Sequence, residues 1–138
     1  ANYGLIAEKD HMVQSNREIL LAVMIEDMTA LNEIEAIAST EGIDLIVVGP
    51  SDMSSALGVG GQPDHPKLVE TINHVAQVVR KSGVARLALP MNHRNFPRTV
   101  TQLRDLGVAY SNCAPAPQVR LLRSLQQQVS ETRKLLGQ

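Results

Sequence analysis

The chain has 138 residues, a formal net charge of −1 and a single cysteine. This near-neutral charge argues against nucleic acid as the main partner, because phosphate binding needs a basic patch. One cysteine forms no internal disulfide and agrees with a reducing compartment. No apolar run approaches the roughly 20 residues that span a bilayer, and no signal peptide is recognisable at the N-terminus. The composition therefore predicts one cytoplasmic domain over residues 1–138 that binds neither nucleic acid nor membrane.

Short apolar runs alternate along the chain with segments of helical spacing. Strands buried on both faces are predicted at residues 19–25, 44–48, 85–89 and 108–110. Helices are predicted at about residues 3–14, 31–38, 66–79, 94–106 and 118–136, where apolar side chains recur every three or four positions. Gly42 is expected just past a helix end, and Pro66 at a helix start. This alternation predicts an α/β fold with a parallel sheet, either a small open sheet or half of a (β/α)8 barrel.

Polar residues follow each predicted strand, at the end where chemistry collects in parallel α/β proteins. Glu26 follows the first strand and Asp52 the second, so both carboxylates should point to the same end of the sheet. Neighbouring carboxylates repel each other unless they share a proton or a cation, and oxygen ligands suit Mg²⁺ or Mn²⁺. The alternative is that Ser51 and Asp52, like Asp27 and Thr29, only cap helices.

The segment that begins at Gly49 adds a candidate anion site. Gly49 allows backbone conformations closed to other residues, and the amides after Pro50 can form a nest for an anion. A helix that starts at about Asp52 would add its dipole and free N–H groups. A 2-oxo acid would then be bound at two points, with its carboxylate on the amides and its carboxylate and keto oxygen on the cation.

These residues resemble the metal-dependent aldolases typified by 4-hydroxy-2-oxoheptanedioate aldolase. That family includes 2-keto-3-deoxy acid aldolases and macrophomate synthase-like fungal members, within the phosphoenolpyruvate/pyruvate barrel superfamily. The matching segments are residues 23–26, 41–44, 49–54, 57–58 and 65–66. The resemblance is strong over residues 19–83 and looser towards the C-terminus.

The resemblance implies a carbon–carbon lyase that acts on 2-oxo acids through a pyruvate enolate stabilised by Mg²⁺, or by Mn²⁺ or Co²⁺. It implies that Glu26 and Asp52 ligate the metal, and that Gly49, Ser51 and Asp52 bind the substrate carboxylate. Decarboxylation of oxaloacetate would give the same enolate. The family usually has Gln where this chain has Met24, which puts the substrate in doubt. A homo-oligomer is also implied.

By the same resemblance, the chain supplies approximately strands 5–8 of a TIM barrel. The family's catalytic His and a substrate-contacting Arg lie on the other half, so no catalytic residue is assigned here. The enzyme would be active only with a complementary N-terminal half-barrel. The alternative, from a different class, is a catalytically incomplete half-barrel that serves as a partner or assembly module.

Three further residues could have either a functional or a structural role. His93 follows the third strand and could be an acid/base group, but a solvated loop histidine is the favoured interpretation. His65 precedes Pro66 and is expected to help cap the next helix. Cys113 has no cationic neighbour that would lower its pKa, so it is interpreted as a small packing residue.

Overall fold

The computed structural model describes residues 5–112 and 116–137 and contains one parallel β-sheet. The strands are β1 (Ala22–Ile25), β2 (Leu45–Val48), β3 (Arg86–Ala88) and β4 (Val108–Tyr110). The helices are α1 (Glu8–Glu18), α2 (Met28–Asn32), α3 (Ile34–Ala38), α4 (Pro50–Ala56), α5 (Pro66–Ser82), α6 (Val100–Leu106) and α7 (Pro117–Leu135). Each strand pairs in parallel with the next one along the chain, in the order β1-β2-β3-β4. The predicted α/β fold with a parallel sheet is confirmed.

The N-terminal elements are displaced from their predicted positions. The first strand covers only residues 22–25, because Ile19 is the C-cap of α1 and the two leucines after it precede the strand. Helix α1 begins at Glu8, whereas the prediction began at residue 3. Residues 1–4 lie outside the described part of the chain, so the predicted helix can be compared with the structure only from residue 5 onward.

Two predicted helices differ from the observed ones. The segment 31–38 is divided into α2 and α3 at Glu33, whose φ of −103° and ψ of 15° interrupt the helix. The helix predicted from residue 94 begins only at Val100, because Pro97 disfavours helical backbone before it and Thr99 forms a capping box with Gln102. Val100 occupies the first position of α6 and is 67% exposed.

The core lies between the sheet and α3, α4, α5 and α6, on one face of the sheet only. Along β2, Ile46 and Val48 are fully buried, whereas the alternating Leu45 and Val47 are only partly buried. Met24 in β1 faces the same open side and is 53% exposed. The prediction of strands buried on both faces is therefore wrong for β1, β2 and β4. It holds for β3, where the adjacent Leu87 and Ala88 are both buried.

Helix α7 has nearly the predicted bounds but none of its residues is buried. Its apolar stripe, formed by Leu122, Leu125 and Val129, is 50–55% exposed. Within residues 5–112 and 116–137, no helix is both long and apolar enough to cross a membrane.

Candidate functional site

A cavity of 290 Å³ opens at the carboxyl end of the sheet, where residues that follow β2, β3 and β4 converge. Its apolar wall consists of Met24, Val47, Val48 and Pro90. Its polar wall consists of Ser51, Asp52, His93 and Asn112. The structure therefore brings together residues that the sequence placed after three separate strands, beside Met24 of β1.

Glu26 lies beside this cavity, where its side chain packs against Gly49. A Cβ atom added to Gly49 would lie 3.4 Å from Glu26 Oε2 and 3.4 Å from the sulfur of Met24. The φ of −90° and ψ of 94° at Gly49 lie outside the left-handed region, so the predicted need for a special glycine conformation is wrong. The glycine instead permits close approach of the backbone to the half-buried Glu26 carboxyl group.

The two acidic residues after β1 have different roles. The Asp27 carboxylate accepts a hydrogen bond of 2.8 Å from the Ala30 N–H and caps α2, as the capping interpretation predicted. Glu26 has no hydrogen bond or ion pair within the described residues. Of this pair, only Glu26 is available to a ligand.

Ser51 and Asp52 lie inside α4 and are not its N-cap. The helix begins at Pro50, two residues earlier than expected, and Gly49 is its N-cap without any side-chain cap. The capping interpretation of Ser51 and Asp52 is therefore wrong. Their N–H groups have no acceptor within the helix. The first N–H of the helix that donates to a helix carbonyl is that of Met53, which donates to the Gly49 carbonyl. The Asp52 carboxylate is exposed and, over the described residues, has no hydrogen-bonding partner.

His93 is half-buried and hydrogen-bonded, which contradicts its interpretation as a solvated loop residue. Its Nε2 lies 3.2 Å from Ser51 Oγ, and its Nδ1 accepts a hydrogen bond of 3.1 Å from the Asn95 N–H. Burial of the ring lowers the pKa of His93, and the nearby Arg94 guanidinium lowers it further. The imidazole is therefore neutral at pH 7.

Two buried polar residues behind the cavity were not predicted. Ser54 is fully buried and Asn95 is 4% exposed, and Asn95 Nδ2 donates a hydrogen bond of 2.8 Å to Ser54 Oγ. They are 41 positions apart, so no local pattern could have paired them. His65 does cap α5, as predicted, since its Nδ1 accepts from the Lys67 N–H. Cys113 lies outside the described residues.

Glu26 and Asp52 are the candidate ligands for a divalent cation. No group of three or more His, Cys, Asp or Glu side chains in the described ranges could hold a metal by itself. Two carboxylates without protein partners suit Mg²⁺, which is commonly bound through one or two carboxylates while water and substrate complete its coordination.

Comparison with curated proteins shows relatives among sugar-acid aldolases. The chain is 43% identical over 74 residues to 5-keto-4-deoxy-D-glucarate aldolase of Klebsiella pneumoniae, a match that covers 54% of this chain and 29% of that enzyme. The same enzyme of Citrobacter koseri is 46% identical over 74 residues, with the same coverage of both chains. The matched segment thus covers less than a third of the length of these relatives.

Solved structures extend the similarity over nearly the whole chain. A HpcH/HpaI aldolase/citrate lyase family protein from Burkholderia cenocepacia has a TM-score of 0.73 and 26% identity, covering 96% of this chain and 49% of that one. Macrophomate synthase has a TM-score of 0.69 and 18% identity, covering 96% and 46%, and shows the shared fold alone. The coverage of about half fits the expectation that the chain corresponds to one half of such a protein.

The sequence matches one family over most of its length, from residue 4 to residue 116. This match confirms the resemblance drawn from the segments between residues 23 and 66, and it does not favour a non-catalytic assembly module. The chain belongs to the HpcH/HpaI aldolase/citrate lyase family.

Proposed function

We propose that the chain is the C-terminal half of a (β/α)8 barrel and supplies approximately strands 5–8. Three observations support this proposal. The strand order β1-β2-β3-β4 never reverses, unlike that of a doubly wound open sheet. The described helices cover one face of the sheet, as the outer helices of a barrel do. The other face presents Met24, Leu45 and Val47, which would become the barrel interior once an N-terminal half-barrel is added.

Within that barrel, we propose a carbon–carbon lyase that acts on 2-oxo acids. The observation that carries the proposal is the position of Glu26, a half-buried carboxylate without a protein partner, beside the turn that leads into Ser51 and Asp52. An acidic group left unpaired at the functional end of a parallel sheet indicates that a ligand or ion completes it. The names of the relatives add an aldolase activity to this expectation.

Glu26 and Asp52 would hold the divalent cation, Mg²⁺ or else Mn²⁺ or Co²⁺. When bound, such a cation supplies a Lewis acid that draws electron density from the keto oxygen of a 2-oxo acid. The free N–H groups of Ser51 and Asp52 would bind and orient the substrate carboxylate, with Gly49 leaving room for it. The acid/base His and the Arg that contacts substrate are expected on the N-terminal half.

Met24 and Val47 form the apolar side of the cavity and would contact the substrate there. A thioether donates no hydrogen bond, so this side holds a pyruvyl fragment through packing and excludes water from it. Loss of carbon dioxide from oxaloacetate and cleavage of a longer 2-oxo acid both yield the enolate of pyruvate. Both reactions therefore remain within the proposal for the same site.

Two further proposals follow from the sequence and the exposed surfaces. The apolar stripe of α7, which includes Leu122, Leu125 and Val129, supports a homo-oligomer in which this stripe is covered. The cytoplasmic location inferred from the single cysteine stays a prediction.

The enolate step can be tested without knowledge of the second substrate. The complete protein that carries this chain is incubated with pyruvate and Mg²⁺ in D₂O, and exchange of the methyl protons is followed by NMR. Glu26→Gln and Asp52→Asn should each lower the exchange rate by at least about 100-fold, because each removes a carboxylate that would hold the cation, and the cation stabilises the developing enolate charge. Binding of Mn²⁺, followed by electron paramagnetic resonance, should weaken in parallel.

Glu70→Gln is the matched control, since Glu70 is an exposed acidic residue on α5 away from the cavity. It should leave both exchange and Mn²⁺ binding unchanged. Exchange that persists in Glu26→Gln, or that is insensitive to EDTA, would contradict the proposal.

A further inference from the structure

The loop after β3 and the first turn of α4 are joined by a closed circuit of four hydrogen bonds. The Asn95 N–H donates to His93 Nδ1 over 3.1 Å, and His93 Nε2 lies 3.2 Å from Ser51 Oγ. The Ser54 hydroxyl donates to the Ser51 carbonyl over 2.7 Å, and Asn95 Nδ2 donates to Ser54 Oγ over 2.8 Å. The circuit therefore runs from Asn95 through His93, Ser51 and Ser54 back to Asn95.

The buried side of this circuit fixes its geometry. Ser54 and Asn95 are the buried polar side chains of the described chain, and a hydrogen bond between buried polar groups favours one arrangement of them. The next residue along, Phe96, is 1% exposed in the core, and its N–H donates to the His93 carbonyl over 3.1 Å. These contacts fix the backbone and the Nδ1 side of His93, and its imidazole lines the cavity.

The circuit also determines which nitrogen of His93 carries the proton. Because Nδ1 accepts from a backbone N–H, a neutral ring must carry its proton on Nε2. Nε2–H then donates to Ser51 Oγ. A hydroxyl group that accepts from Nε2–H must turn its own proton elsewhere, and Ser51 Oγ has no other hydrogen-bonding partner among the described residues. Its proton is left to point into the cavity.

We propose that His93 is a positioning residue that makes Ser51 a hydrogen-bond donor to the 2-oxo acid. The proposal rests on the proposed function and extends it, because it assigns a role to the Ser51 hydroxyl in addition to its backbone amide. In the empty cavity, a hydroxyl free to rotate presents a lone pair as readily as a proton, so an anionic substrate would have to reorient it on binding. With His93 donating to it, the hydroxyl presents the proton, which matches the negative charge of a carboxylate or enolate oxygen.

The first test observes the tautomer directly. In protein labelled with ¹⁵N at histidine, the imidazole shifts distinguish a ring protonated at Nε2 from one protonated at Nδ1 or at both nitrogens. The His93 signals, assigned from their loss in His93→Gln, should show Nε2–H at pH 7 without substrate. A ring protonated at Nδ1 would overturn the proposal, whatever the activity.

The second test separates positioning from structure through pyruvate methyl exchange. His93→Phe keeps the ring but removes both nitrogens, and should raise KM for pyruvate about tenfold with kcat changed less than threefold. His93→Gln, whose side-chain amide can donate to Ser51, should recover most of this loss. Ser51→Ala should raise KM similarly, and His93→Phe should add nothing in that background, since the two residues act through one hydroxyl.

His65→Phe provides the matched control. His65 Nδ1 also accepts a backbone N–H two residues later, from Lys67, but His65 does not line the cavity. Its replacement should leave KM unchanged. Effects of His93→Phe and Ser51→Ala that multiply, or a His93→Gln variant no better than His93→Phe, would overturn the inference alone. Absence of exchange in the unaltered protein would overturn the proposed function, and the positioning role with it.

Discussion

The two faces of the sheet differ in what covers them, although their side chains are alike. On one face, Ile46 and Val48 are fully enclosed by the helices. On the other, Leu45 and Val47 are equally aliphatic but only partly buried. Glu26 and Gly49 continue the register of this open face, because they follow Met24 and Val47 by two positions. The covered face therefore stabilises the fold, whereas the open face leads to the candidate site.

The largest expected difference is in stability along β2. Ile46→Ala should lower the free energy of unfolding by about 3 kcal/mol, because it removes buried methylene groups and leaves a cavity. Val47→Ala, one residue later on the open face, should cost less than about 1 kcal/mol in this chain. Urea denaturation followed by circular dichroism measures both values.

The same pair of variants tests whether the open face is a barrel interior. In a complete barrel Val47 would be enclosed, so Val47→Ala should cost about 2 kcal/mol there, while Ile46→Ala should cost about as much as before. Equal costs for the two variants in this chain would show that the open face is already covered. A cost for Val47→Ala that does not rise in the complete protein would contradict the half-barrel proposal.

The second comparison concerns the two acidic residues after β1. Asp27→Ala should lower the free energy of unfolding by about 1 kcal/mol, because Asp27 caps α2 through the Ala30 N–H. Glu26→Ala should change it by less than about 0.5 kcal/mol, since Glu26 makes no hydrogen bond or ion pair that the described structure contains. Thermal and urea denaturation without added metal would check both values. A larger loss for Glu26→Ala than for Asp27→Ala would assign Glu26 a structural role.

The fold was predictable where it depends on local pattern. Runs such as residues 44–48 identify strands because Val, Ile and Leu suit a pleated buried surface, and the helices between them require parallel pairing. The pattern does not reveal which face is covered in a given chain. An aliphatic side chain at position 47 satisfies the same rule whether a second layer of the molecule encloses it or not.

The site was predictable where it depends on the ends of strands, and less so elsewhere. Glu26 and Asp52 could be placed at one end of the sheet, but Asp27 could be recognised as the N-cap only once the start of α2 was known. The link from His93 to Ser51 crosses 42 positions of sequence and depends on buried partners. Such contacts arise from tertiary packing, which neither spacing nor composition encodes locally.

The smallest expected effect is the dependence of stability on pH through His93. Its pKa is lowered by burial of the ring and by Arg94, so the folded protein favours the neutral form more than the unfolded chain does. The stability gained from this preference is complete above about pH 6.5, the usual pKa of histidine, and is lost as pH falls through the lower pKa of the folded protein.

The unaltered protein should therefore lose more stability between pH 7.5 and pH 5 than His93→Gln does. Urea denaturation at both pH values gives this difference, because the two proteins differ only at residue 93. The effect should be smaller than that of Asp27→Ala, because His93 is only half-buried and water screens its charge. Equal losses in the two proteins would mean that the circuit through Ser51 tolerates a charged ring.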